Sequence, residues 1–229
     1  AFIEAVQHDP DTSELHFALG NLFRRRGEYE RAVRVHQHLL SRADLTQTDR
    51  DRAQYALAQD YLKAGLLDRA EDALTKLEGT AHTSQAHLAL LGIYERSRDW
   101  AKASAVAQKL SDNGQGSFHG RQAHYLCEQA AALDVTQDSA QVIALLQQAI
   151  QVAPQGARAR MALSKAYEQT DQLQDAYATL ETLASQVPSA LPLLAPKLAA
   201  LAQKLNGVDA ALNLLETSYA KTASLDVLS

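Results

Sequence analysis

The sequence has little cysteine: Cys127 is the single one among 229 residues, so no intramolecular disulfide forms and a four-cysteine zinc site is excluded within these residues. It also lacks an uninterrupted run of about 18 apolar residues. The most apolar stretch, Ala190 to Leu205, is broken by Pro192, Pro196 and Lys197, and nothing in it spans a bilayer. Positive charge is not in excess either. The 22 Lys and Arg residues are outnumbered by 27 Asp and Glu and interspersed with them, for a net charge of -5. A domain-wide basic field, which binding through release of phosphate counterions requires, is therefore missing, and nucleic acid is not an expected partner.

Catalytic motifs are missing as well. The eight histidines include no His-Glu-x-x-His arrangement, and His36 and His38, two apart, point to different sides of a helix. His124 and Cys127 are three apart and share a helix face, but two ligands do not make a zinc site. The glycines of Asn113 to Gly120 lack the Lys-Ser/Thr ending of a phosphate loop and a preceding strand, so this stretch reads as a linker. No serine or cysteine sits in a nucleophile elbow, and no carboxylate pair stands apart from ordinary solvated acids. The expectation is a binding protein and not an enzyme.

What is present is a period. Leu19-Gly20, Phe23, Gly27-Glu28-Tyr29 and Ala32 follow an order that returns as Leu57-Ala58, Tyr61, Gly65, Leu67 and Ala70. It returns again as Leu90-Leu91, Tyr94, Trp100 and Ala103, and as Leu163-Ser164, Tyr167, Leu173 and Ala176. Weaker units lie around Leu126, Ala130, Leu133, Val142, Leu146 and Ala149, and around Leu198, Leu201, Ala210 and Leu214. Successive spacings of roughly 38, 33, 39, 34 and 34 residues scatter about the tetratricopeptide (TPR) period. The two longest intervals contain the insertions Ser41–Asp51 and Ser111–Gly120.

The steric sense of the signature is direct. A small residue lets the two helices of a unit approach, the aromatic fills the space beside them, and Gly27 or Gly65 closes the first helix in the left-handed conformation. The signature positions Tyr61, Tyr94, Trp100 and Tyr167 are accordingly expected in the core. The predicted fold is all-α, a right-handed TPR superhelix of about six helix-turn-helix repeats with one continuous core and some twelve helices. The repeats are expected at about 13–44, 51–80, 84–112, 121–154, 157–188 and 191–222, with residues 1–10 the end of a preceding repeat. Because the first residue is Ala1 and Ala1 to His8 reads as part of an amphipathic helix, the chain is expected to begin inside a longer protein.

In such an array the first helices line the concave face, where extended partner segments bind. The register nominates Phe17, Asn21, Arg24 and Arg25 in one unit, Tyr55, Gln59 and Lys63 in the next, then Leu88 and Arg96. Later units contribute Arg158, Met161, Lys165 and Glu168. The mixture of aromatic, amide and basic groups suits a segment with apolar anchors and acidic or amide groups. The carboxylate clamp of chaperone-binding TPR domains matches at Asn21 alone, since Phe17, Ala56, Gln85 and Ala89 replace its other members, so that function is not expected.

The segment Leu19 to Leu40, with Asn21-Leu22-Phe23-Arg24 and His36-Gln37, and the segment Asp60 to Asp72, with Asp68-Arg69-Ala70-Glu71-Asp72, are more particular than a generic repeat. They closely resemble the lipopolysaccharide assembly protein B family of Gram-negative bacteria, most strongly from about Glu14 to Leu77. That resemblance implies repeats on the cytoplasmic face of the inner membrane, held by an N-terminal anchor helix. It implies a C-terminal rubredoxin-like domain holding iron or zinc, whose four cysteines are outside this sequence, and no cofactor in the repeats themselves. It also implies an adaptor that brings the lipid A precursor deacetylase to a membrane-bound AAA+ protease, together with lipopolysaccharide-assembly partners. The alternative from the residues alone is a generic TPR scaffold in envelope assembly or secretion.

Overall fold

A computed structural model of the chain describes residues 11–114, 116–205 and Glu216. Among the described residues the regular elements are all helical. They pair as first and second helices: α1 (Asp11–Arg25) with α2 (Tyr29–Leu40), and α3 (Gln47–Lys63) with α4 (Leu67–Thr75). After these come α5 (Thr83–Ser97), α6 (Trp100–Asp112), α7 (His119–Ala131) with α8 (Ser139–Val152), and α9 (Ala157–Gln169) with α10 (Leu173–Gln186). A 3-10 turn, Pro188–Ala190, leads into α11 (Leu191–Lys204). The helical expectations at Ala1 to His8 and around Ala210 and Leu214 lie outside the described residues.

The chain divides into two compact units, residues 1–99 with 112–115 and residues 100–111 with 116–229. The division passes through the third expected repeat, whose helix α5 belongs to the first unit and whose helix α6 belongs to the second. In the first unit, Phe17, Leu39, Leu45 and Ala53 form a buried cluster. In the second, one cluster gathers Leu126, Cys127, Val142, Leu146 and Leu163, and another gathers Leu180, Leu183, Leu194 and Leu198.

Four first helices end in the same way. Gly27 has φ 80°, and the amide of Glu28 donates across it to the carbonyl of Phe23 at 2.9 Å. Gly65 (φ 75°) repeats this with Leu66 and Tyr61 at 2.9 Å. At the next two sites the left-handed position falls on Arg98 (φ 57°) and Asp171 (φ 59°), with Asp99 donating to Tyr94 at 2.9 Å and Gln172 to Tyr167 at 2.8 Å. The signature aromatic is thus always the residue whose carbonyl closes the turn. Side chains with a Cβ pay a steric cost there that glycine does not.

The aromatic hydroxyls then tie repeats together. Tyr61 accepts from Gln37 on α2 at 2.9 Å, Tyr94 donates to Glu71 on α4 at 2.9 Å, and Tyr167 accepts from Gln147 on α8 at 3.1 Å. Burial and the Glu71 carboxylate push the Tyr94 phenol well above its ordinary value, so it stays a donor. The core role expected of the aromatics holds for Tyr61 and Tyr94, which are buried, whereas Trp100 and Tyr167 are half-buried.

The first insertion is shorter than expected. Helix α3 starts at Gln47, inside the stretch expected to be loop, because Thr46 accepts from the amide of Asp49 at 3.1 Å and its hydroxyl donates to the Asp49 carboxylate at 2.8 Å. Arg50 donates to the carbonyls of Leu40 at 3.0 Å and Arg42 at 3.1 Å, satisfying groups that the end of α2 leaves open.

A buried polar clamp joins α1, α2 and α3. Asp60 on α3 is fully buried and accepts from His36 Nδ1 at 2.5 Å and from Arg24 at 2.8 Å. Arg24 also donates to the Ala56 carbonyl at 3.0 Å and to the Asn21 side chain. His36 fits because Gly20 has no side chain: a methyl group there would overlap the imidazole ring. In the second unit the equivalent small position is used differently, with the buried Ser164 hydroxyl donating to the Ala176 carbonyl of α10 at 2.9 Å.

Two stability predictions follow the turns and the clamp. Replacing Arg98 with Gly raises the urea unfolding midpoint, by about 0.5–1 kcal/mol in stability, whereas Gly65→Ala lowers it by about 1 kcal/mol. Arg24→Ala costs about 3 kcal/mol, because it strands the buried Asp60 carboxylate, while Arg25→Ala stays within about 0.5 kcal/mol of the parent. Equal midpoints for Arg24→Ala and Arg25→Ala would contradict the clamp.

Candidate partner-binding face

Helices α1, α3 and α5 carry the sequence-nominated residues of the first unit, and the structure sorts them into groups. Phe17 is 2% exposed and packs with Leu39, Leu45 and Ala53, so it is a core residue and not a surface for partners. The reason is a neighbour that the sequence reading did not nominate. Arg52, near the start of α3, lays its guanidinium 4.0 Å from the centroid of the Phe17 ring while pairing with Glu14. Hydrogen bonding from Arg52 holds the Glu14 carboxyl below the usual carboxylate range.

Asn21 and Arg24 are half-buried and engaged in the Asp60 clamp. Arg24 and Arg25, alike in sequence, differ because Arg24 turns inward to a carboxylate and Arg25 is exposed. Tyr55 is half-buried and its ring stacks on His82, centroids 5.0 Å apart and planes within 2°. His82 in turn is hydrogen-bonded to Gln85 at 2.8 Å. Gln59 is half-buried, and Lys63 and Arg96 are exposed. Leu88 is 47% exposed, and one turn further on Gly92 opens onto empty space.

The second unit repeats the Arg52 device. Arg158, six residues before Ser164 as Arg52 is six before Ala58, reaches back to α7. It donates to His124 Nδ1 at 2.5 Å and pairs with Glu128 at 2.5 Å. This shared offset was readable in the sequence, and comparing the repeats six residues before the small position would have found Arg52. Lys165 is exposed, whereas Met161 is half-buried against the cluster of Leu180 and Leu194. Glu168 pairs with Lys204 at 2.8 Å.

His124 and Cys127 do not form a common site. His124 is exposed and held by Arg158, while Cys127 is buried in the second unit's core, where burial pushes its thiol pKa up and keeps it protonated and unreactive. Among the described residues no three His, Cys, Asp or Glu side chains are grouped to hold a metal ion. No described helix is long and apolar enough to cross a membrane. Of the nominated residues on the first helices of the first unit, Arg25, Lys63, Leu88 and Arg96 are exposed and Gln59 is half-buried.

Tetratricopeptide repeat profiles match residues 15–51 and 136–205. Lipopolysaccharide assembly protein B of Escherichia coli strain K12 is 34% identical over 186 residues, covering 81% of this chain and 48% of that protein. The Haemophilus influenzae protein of the same name is 32% identical over 81% of this chain and 46% of its own length. The chain thus spans about half the length of the curated relatives it matches. A tetratricopeptide repeat protein of solved structure from Parabacteroides merdae is 14% identical, with TM-score 0.44 over 91% of this chain and 79% of that chain. The chain therefore carries tetratricopeptide repeats and is similar over most of its length to lipopolysaccharide assembly protein B.

Proposed function

We propose that the chain is the repeat region of a protein-binding adaptor that limits lipopolysaccharide biosynthesis. It couples the lipid A precursor deacetylase to a membrane-bound AAA+ protease and to lipopolysaccharide-assembly proteins, at the cytoplasmic face of the inner membrane, without catalysing a reaction itself. The observation that carries this reading is the 32–34% identity to lipopolysaccharide assembly protein B over 81% of the chain. The solvent-facing side chains on the first helices supply the physical means. A surface that holds two proteins at once raises their effective mutual concentration without an active site of its own. The full-length protein, in this reading, adds the anchor helix and a rubredoxin-like domain with iron or zinc. A generic TPR scaffold for envelope assembly or secretion is the alternative, and it predicts no link to the deacetylase.

Deleting the gene is expected to lengthen the deacetylase's half-life in cells several-fold, with restoration by the full-length gene and not by one lacking the repeats. An unchanged half-life in the deletion strain, followed by immunoblot after translation is stopped, would favour the scaffold reading.

A further inference from the structure

We infer that the first unit carries a docking site for an acidic extended segment of a partner protein, set by a row of cations at the ends of its first helices. The inference rests on the adaptor reading and goes further, to the place and chemistry of one contact. Arg25, Lys63 and Arg96 each fall five residues after the small signature position, at Gly20, Ala58 and Leu91 respectively. Each lies in the last turn of its helix, α1, α3 or α5, and each is exposed. None of the three takes part in an ion pair or side-chain hydrogen bond among the described residues. Their equivalence in the repeat gives them the same position on their three helices, of which α1 packs against α3 while α5 packs against α4.

Cations at helix C-termini complement the helix dipole, and that alone explains one of them. It does not explain the row. In the second unit α7 and α9 end without a basic residue, and the Lys204 that ends α11 is already paired with Glu168. The acids on the same helix ends of the first unit are not available to neutralise the row. Asp60 is enclosed by Arg24 and His36, and Glu95 is also engaged. Beside the cations, Leu88 stands exposed next to the open surface at Gly92, with Gln59 half-buried on α3. Charge complementarity therefore selects a segment with carboxylates spaced along its length and an apolar side chain to cover Leu88.

The test presents the 229-residue chain to a display library of short random peptides. Enriched peptides are expected to carry Asp or Glu around an apolar residue and to bind the Lys63→Glu/Arg96→Glu variant at least about ten-fold more weakly. Affinity should fall as salt is raised, and Lys63→Arg should retain binding. Circular dichroism of the doubly reversed variant checks that it is folded, which both exposed positions favour. Enrichment of neutral or basic peptides, no enrichment, or binding that survives charge reversal would overturn the site. So would charge-dependent sedimentation with anionic phospholipid vesicles without any acidic peptide enriched, which would assign the row to a membrane surface. Acidic peptides that bind in this way while the deacetylase's half-life is independent of the gene would leave the site standing and remove the adaptor reading.

Discussion

The first unit depends on how a buried carboxylate is kept satisfied. Asp60 has no access to water, so its oxygens need donors from the protein, and they come from two other helices: His36 on α2 and Arg24 on α1. A buried charge left without partners costs several kcal/mol, which is far more than ordinary surface contacts return. The three helices are therefore fixed together by one group, and Gly20 is part of the same constraint because the imidazole occupies the space a side chain would take. His36 Nε2 faces that glycine with no hydrogen-bond partner among the described residues, a loss of about 1–3 kcal/mol that goes with the position of the other nitrogen.

The clamp also decides which side chains remain for binding. Arg24 and Asn21 are drawn into it, and Phe17 is covered by Arg52, so three of the four α1 residues that repeat register alone would place on the binding face serve the fold instead. Similarly, Arg158 in the second unit is held by His124 and Glu128. What remains is the exposed set Arg25, Lys63, Leu88 and Arg96 in the first unit and Lys165 in the second. Position within a repeat says which face a residue is on, and the partners it finds there decide whether it is available.

Periodicity was enough to read the helix pairs, the turns at Gly27 and Gly65 and the burial of Tyr61 and Tyr94, because each follows from local sterics repeated at nearly constant spacing. The residues that carried the resemblance, Arg24, His36, Gln37 and Glu71, prove to be those bonding one helix or repeat to the next. Long-range partners were not legible: nothing local marks Asp60 as the acceptor for two helices or Arg52 as the cover of Phe17. The left-handed turns at Arg98 and Asp171 were missed because neither is glycine, although the aromatic four residues before each was recognised. The start of α3 was hidden because the Thr46–Asp49 cap resembles a polar loop, and the division within the third repeat depends on packing that a repeat pattern does not encode.

The central claim is that binding uses the first-helix edge of the unit which the Asp60 clamp holds together. Hydrogen–deuterium exchange of the chain with and without the soluble deacetylase tests it most directly. Slowed exchange is predicted in the last turns of α1, α3 and α5, with α2 and α4 unchanged. Protection confined to α2 and α4, or to the second unit, would contradict the account.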